Sequence, residues 1–366
     1  MTKTLSPRYK RIVVKIGSNV LTRPDGTLDT TRMSALTDQV ADMIASGVEV
    51  VLVSSGAVAA GRSEVAPAPH HMDAVAARQL FSAVGQGKLI GKYYELFREH
   101  GIICGQVLTT KESFGTRGHY LNQRNCMAVM LEAGVVPIVN ENDTISVTEL
   151  MFTDNDELSG LVAAMMDAEA LIILSNIDGI YDGDPSDPAS KVIPSISPGQ
   201  TDLSRYVRSS RSQFGRGGMI TKSRIASKVA QEGTEVIIAN GKRENILSEI
   251  VCGSSDVLCT RFLPSEKSKS AIKRWISHSE GFAKGEIHVN QGAYQALVGQ
   301  KAVSLLPVGV SEIRGDFEKD DIVRIIAPDG RPIGVGRVSA SSAQAQRQIG
   351  GKGGKALVHY DYLYLD

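Results

Sequence analysis

An excess of charge of either sign is missing from this sequence: 40 Lys and Arg face 40 Asp and Glu, for a formal net charge of zero. A balanced chain has no bulk attraction to nucleic acid or an anionic membrane, so RNA binding would need a local basic patch. No apolar run approaches the ~20 residues of a spanning helix. The opening residues, MTKTLSPRYKRIVVKIG, lack the longer apolar core of a secretory leader and read as the approach to a strand. Cysteine is scarce, and Cys104, Cys126, Cys252 and Cys259 form neither a CxxC pair nor a dense disulfide framework. Together these absences point to the cytoplasm. Familiar phosphate loops are missing too. SAVGQGKL (82–89) has Ser82 where a P-loop has its first glycine and Leu89 where it ends in Ser or Thr. GGKGGKA (350–356) misses the spacing, and no GxGxxG follows the first strand. His70 and His71 have no carboxylate or histidine at metal spacing, so no metal site is expected from protein side chains.

What is present is a regular alternation. At 366 residues the chain has room for two domains. From Lys10 to about Thr260, short β-branched runs alternate with longer amphipathic segments. The strands are RIVVKI, VEVVLV, IICGQVL, VVPIV, ALIILS and EVIIA. Met33, Leu36, Val40, Met43 and Ile44 recur at helical spacing before Gly47, and further helices are expected near 72–99, 120–133, 156–167 and 221–232. Continuously apolar strands suit a mainly parallel sheet sandwiched by helices, so residues 1–262 read as an α/β domain. Residues 263–280 mix charge, serine and Pro264 and read as a linker with a short helical piece. Trp275 in it is expected to pack against one domain. Residues 281–366 carry GEIHV, AVSLLPVGV, DIVRIIAP, PIGVGRV and ALVHYDYLYL, with PDGRP as a hairpin signal, and read as a small, mostly β domain.

Polar residues recur where strands end: Lys15, Gly17 and Ser18; Ser54, Ser55 and Gly56; Asn140, Glu141, Asn142 and Asp143; Ser175, Asn176 and Asp178. In an open parallel sheet, ligands bind at the carboxyl ends of strands. Polar loops are also simply how strands end; four in one chain favour a site. Lys15 reads either as a snorkelling edge residue or as a cation aimed at phosphate oxygens. FGRGGMITK (214–222) adds Gly215, Gly217, Gly218, Thr221 and Lys222 at a helix entry, a place that favours anions. Its bland reading is a mobile loop. The basic stretch 204–216, with Arg205, Arg208, Arg211 and Arg216, reads as a solvated loop or a lid over phosphates. TDNDELSG (153–160) also has two readings. Asp154 and Glu157 fit a capping box, whereas Asn155 and Asp156 fit a phosphotransfer site.

In this order, VVKIGSNVLT, VSSGAVAAGR, AVGQGKL, VPIVNENDT, DNDELSGLVA, GIYDGDP and GRGGMITK resemble the glutamate 5-kinases, members of the amino-acid-kinase group. The tail segments GEIHVNQGAYQAL, SLLPVGV and GDFEKDDIVRI resemble a PUA domain, whose fold is a small β barrel. The resemblance implies an amino-acid-kinase fold and transfer of the γ-phosphoryl group of ATP, with Mg2+, to the side-chain carboxylate of L-glutamate in proline biosynthesis. It implies Lys15, Asp156 and Lys222 as catalytic residues and Ser55, Asp143 and Asn155 as glutamate-binding ones. Lys15, Gly17, Ser18, Ser175, Asn176, Arg216, Gly217, Gly218, Met219, Ile220, Thr221 and Lys222 match the ATP positions, although Ser175-Asn176 stands where the family often has Thr-Asp. Feedback inhibition by proline, involving the loop 109–125, is implied, as are a homotetramer and hand-over to glutamyl phosphate reductase. Two alternatives stay open: a sister kinase acting on another carboxylate, carbamate or nucleoside monophosphate, and an RNA-binding protein using the PUA-like tail. Against the latter stand the neutral charge and the modest basic content towards the end of the tail, Arg337, Arg347, Lys352 and Lys355.

Overall fold

The computed structural model of the chain describes residues 6–65, 72–145, 152, 154–199, 218–254, 256–266, 271–277, 279–299, 303–351 and 355–365. The chain divides into two compact units, Met1–Thr110 with Arg124–Ser268, and Lys111–Gln123 with Lys269–Asp366.

The strands of the first unit are β1 (Arg11–Ile16), β2 (Glu49–Ser54), β3 (Ile103–Thr109), β4 (Val135–Glu141), β5 (Ala170–Ser175), β6 (Ser195–Ile196), β7 (Glu235–Asn240) and β8 (Cys259–Phe262). They form one sheet in the order β3-β4-β2-β1-β5-β7-β8-β6. All pairs are parallel except β7 with β8. Its helices are α1 (Ser18–Leu21), α2 (Thr30–Ala45), α3 (Ala57–Glu64), α4 (Ala74–Glu99), α7 (Asn155–Met165), α8 (Met219–Gln231) and α9 (Ile246–Cys252); the short α5 (Glu112–Gly115) and the start of α6 (Arg117–Glu132) fall in the second unit.

β1 shows why both faces must be covered. Its side chains alternate, so Ile12, Val14 and Ile16 point one way and Val13 and Lys15 the other. The first set joins a buried cluster with Met33, Leu36, Val40 and Met43 of α2, Leu89, Tyr93 and Phe97 of α4, and Leu247 and Ile250 of α9. The face carrying Lys15 is covered by α7, which packs on β1 and β5 and against α8. A lysine on a strand buried from both sides needs a partner, and α7, packed on β1 with α8 beside it, brings one to that face.

The P-loop look-alike has a packing explanation. α3 and α4 lie so close that a Cβ on Gly85 would sit 1.7 Å from the Ala57 carbonyl, and one on Gly61 1.7 Å from the Phe81 carbonyl. Backbone cannot yield as a side-chain tip can. Gly85→Ala is therefore expected to cost roughly 3 kcal/mol. Urea unfolding should show a lower midpoint with an unchanged slope; an unmoved midpoint would refute the close-approach argument.

The second unit is a sheet in the order β10 (Val310–Gly315), β9 (Gly285–Val289), β11 (Ile322–Ile326), β12 (Pro332–Val338), β13 (Val358–Leu365). β9 pairs antiparallel with β10 and parallel with β11; the β11–β12 hairpin turns at the PDGRP stretch. Ile287, Val289, Phe317, Val323, Ile325 and Val358 fill its core.

Several sequence expectations change here. The strand expected at AVSLLPVGV begins only at Val310, because Pro307–Gly309 make a 3-10 turn whose Gly309 carbonyl accepts the Asn290 N–H. Among the helices not anticipated are α3 and α9 of the first unit and, in the second, α11 (Gln291–Val298), capped by the Asn290 side chain, and α12 (Ser342–Gln348), opened by a Ser341–Gln344 capping box. The edge strands β6 and β8 were missed as well, being only two and four residues long. Within 263–280, α10 (Ala271–Ser277) packs on β12 and β13. Its Trp275 is fully buried and donates its indole N–H to the Phe114 carbonyl at 2.9 Å, so this part of the expected linker is core of the second unit.

Candidate active site

Three elements remote in sequence meet at the carboxyl edge of the first sheet. Asp154 caps α7, its Oδ1 accepting the N–H groups of Asp156 (2.9 Å) and Glu157 (3.0 Å). Asp154 is therefore the cap, as one reading of TDNDELSG expected, and capping fixes the direction of its neighbours Asn155 and Asp156. Asp156 is turned into the protein with no exposed surface. Lys15 Nζ lies 2.6 Å from its Oδ1 and Lys222 Nζ 2.6 Å from its Oδ2. One carboxylate thus holds two ammonium groups, one from the carboxyl end of the central strand β1 and one from the first turn of α8.

Burial opposes ionisation of Asp156, but the charges of Lys15 and Lys222 outweigh it and hold the carboxyl below its ordinary value. Asp154 is pushed the other way, first by burial and then by the Asp156 charge. The local sum of Lys15, Lys222, Asp156 and Asp154 is neutral when both carboxyls are ionised. Two cations held in a buried cradle without excess negative charge suit an incoming anion.

Around this pair the polar residues fall into two groups, either side of β1. At the ends of β2 and β4, the Asn155 amide donates to the Ser54 carbonyl (3.2 Å), Ser55 Oγ (3.0 Å) and Asn140 Oδ1 (3.0 Å). Asp143, also buried, lies in the same group. It is engaged by Arg78, whose Nε donates to Asp143 Oδ1 at 2.6 Å and whose Nη2 donates to Glu141 Oε2 at 2.9 Å. At the ends of β5 and β7 stand Ser175, Asn176 and Asp178, with Ser175 Oγ 3.4 Å from Asn176 Oδ1. Asp178 accepts from Arg243 (2.6 Å) and Asn240 (3.1 Å), and these bonds, Arg243 first, hold its carboxyl below the ordinary value.

Gly17 follows Lys15 directly. A Cβ there would lie 3.1 Å from the Leu174 carbonyl and 3.6 Å from the Lys15 ammonium, so a side chain would crowd the cation. Ser18 opens the four-residue α1 after it. Gly218 is the N-cap of α8, with Met219, Ile220, Thr221 and Lys222 in its first turn; Ile220 is exposed. Arg216 and Gly217, with the rest of the basic stretch 204–216, lie outside the described residues, as do His70 and His71. Sequence reasoning missed Arg78 and Arg243. Arg78 sits in an amphipathic helix where an arginine is ordinary, so only its contacts reveal it; Arg243 follows a strand end, a signal that could have been used.

Residues 10–240 match the family model described as the amino acid kinase family, and residues 285–359 match the PUA domain. A glutamate 5-kinase of Bacteroides thetaiotaomicron is 64% identical over 362 residues, covering 99% of this chain and all of that one. A glutamate 5-kinase of Chlorobaculum tepidum is 48% identical, covering 98% of both. Among solved structures, the UMP kinase of Ureaplasma parvum superposes with a TM-score of 0.50 at 15% identity, over 70% of this chain and 99% of its own, a likeness of fold. Family models and full-length relatives agree with the parallel sheet and its lysine-bearing edge: this chain belongs to the amino acid kinase family and carries a PUA domain behind its kinase domain.

Proposed function

We propose that this chain transfers the γ-phosphoryl group of ATP to the side-chain carboxylate of L-glutamate, giving L-glutamyl 5-phosphate and ADP. The observation that carries this reading is the convergence of Lys15 and Lys222 on Asp156, between two polar clusters that flank β1. The full-length relatives named glutamate 5-kinase support the choice of substrate.

The acceptor carboxylate is already ionised near neutral pH, so no general base is needed. The difficulty lies in bringing two anions together and in stabilising charge on the moving phosphoryl group. In this reading glutamate lies at the ends of β2 and β4, with Asp143 accepting from its α-ammonium and Ser55 and Asn155 supplying hydrogen-bonding groups. ATP lies at the ends of β5 and β7 and along the segment 216–222, near Ser175 and Asn176. Adjacent strands are about 4.8 Å apart, which leaves the reacting oxygens over β1 and Lys15. Asp156 orients both lysines and takes no proton. Gly17 and Ser18 admit the phosphates to the first turn.

Mg2+ would supply charge neutralisation on the ATP phosphates. Among the described residues no group of three or more His, Cys, Asp and Glu could hold a metal ion. Among the described residues, Asp154 Oδ2 is buried without a hydrogen-bond partner and could join such an ion's shell. That donor set fits a cation brought in on phosphates, with waters completing its coordination.

The catalytic part is assigned to residues 1–262 and the PUA-like part to 281–366. Feedback inhibition by proline through the loop 109–125, a homotetramer in the cytoplasm and hand-over of the labile product to a glutamyl phosphate reductase complete the reading. The test is ADP release coupled to a reporter, with a panel of amino acids and with or without proline. Release that depends on glutamate and falls with proline is expected; release indifferent to glutamate would sink the assignment. Asp143→Ala is expected to raise KM for glutamate by about 100-fold, since a charge-assisted contact is lost, and that for ATP little. An equal rise in both would count against its ammonium role.

A further inference from the structure

We infer that Arg78 selects the substrate by its α-carboxylate, and that the arriving amino acid draws the guanidinium off Asp143. This rests on the glutamate reading above and adds recognition of the end of the substrate that does not react.

Arg78 projects from near the start of α4 and bridges two buried carboxylates, Asp143 and Glu141. The two acids are not equally free to let it go. Glu141 Oε1 accepts the Phe152 N–H at 2.9 Å, so Glu141 is anchored on both oxygens. Asp143 Oδ2 has Ser82 Oγ at 3.3 Å, and its Oδ1 is held by Arg78. Asp143 is therefore engaged, where it would have to receive an ammonium group. A second cation brought to that oxygen would meet the like charge of the guanidinium at close range, which costs free energy in a buried site.

An α-amino acid resolves the conflict because its α-carbon carries both signs. Its ammonium takes Asp143, its carboxylate takes the released face of the guanidinium, and Glu141 keeps the other face. Every charge then has a partner, as burial demands. Arginine suits the task because its planar fork can serve two carboxylates at once, which an ammonium serves less well. A substrate without the α-carboxylate would strand the guanidinium, and sites with stranded polar groups reject such analogues strongly.

Two analogues divide the substrate. 4-Aminobutyrate is glutamate without its α-carboxylate, and glutarate is glutamate without its α-ammonium. In Arg78→Gln, KM for glutamate and Ki for glutarate are both expected to rise about 100-fold, as each loses a charge-assisted pair. Ki for 4-aminobutyrate should stay the same or fall, because its ammonium no longer displaces the guanidinium. KM for ATP should hold within about threefold, the mark of a contact made by one substrate only. If the ligand constants all worsen together, Arg78 only supports the fold around Asp143 and the inference is overturned. Should Arg78→Gln not fold, because Glu141 and Asp143 then repel each other, Arg78→Lys keeps the charge and loses the fork. It should raise KM for glutamate about tenfold with 4-aminobutyrate unmoved, and a parallel shift of both again overturns the role. A wild-type protein that releases no ADP with glutamate would remove the kinase reading itself, a result distinct from any pattern among the variants.

Discussion

Lys222→Ala is expected to lower kcat by about 10^3-fold, the scale seen when one preorganised donor to a transition-state anion is lost. The ammonium is held 2.6 Å from Asp156 at the first turn of α8, where the free N–H groups of the helix also favour an anion. Charge shifts on the transferring phosphoryl group and its leaving oxygen as the transition state forms, so the loss should fall on kcat more than on either KM. The fold should survive, because Asp156 keeps Lys15 and the helix keeps its cap. Steady-state kinetics beside a thermal melt will show this. A near-normal kcat, or a loss confined to KM for ATP, would move Lys222 from phosphoryl stabilisation to plain nucleotide binding.

Asp156→Asn is expected to damage both stability and activity. The neutral amide leaves two ammonium groups facing each other in a buried cradle, and breaking a buried ion pair in this way costs about 3–5 kcal/mol. Activity should fall by at least as much as in Lys222→Ala, since neither lysine is then held in place. The pH dependence separates this ion pair from simple packing. Asp156 has a folded-state pKa below its unfolded value of roughly 4. Its contribution is thus complete at neutral pH and is lost as the pH falls through the folded value. The stability gap between wild type and Asp156→Asn should be widest near neutrality and narrow on acidification. A gap that is constant with pH would mean that shape, not charge, holds Asp156 there.

The two expectations differ in how far local sequence supports them. Lys15 and Lys222 stood out because each follows a structural signal, a strand end and a glycine-rich helix entry. Asp156 did not, since an acid in a first helical turn is ordinary. Arg78 was invisible for the same reason: its helix has exposed positions that arginines commonly occupy, and only its contacts with Glu141 and Asp143 set it apart. In the second unit, short segments such as α12 and the turn at Pro307–Gly309 were misread or missed because so few residues carry little periodicity.

By itself the sequence determined the six longer strands and the longer helices of the first unit, down to the bounds of β1 and β5. That follows because element type depends on neighbours one to four positions away, through side-chain periodicity and backbone sterics. It also determined that polar residues gather at strand ends, since a parallel sheet buried on both faces leaves them nowhere else. Only the tertiary structure decided which charges meet. Residues 15, 156 and 222 are joined by the strand order β2-β1-β5 and by the packing of α7 on α8, contacts that no local pattern encodes. Electrostatic partnership acts over a few ångströms of space, whereas sequence records only distance along the chain.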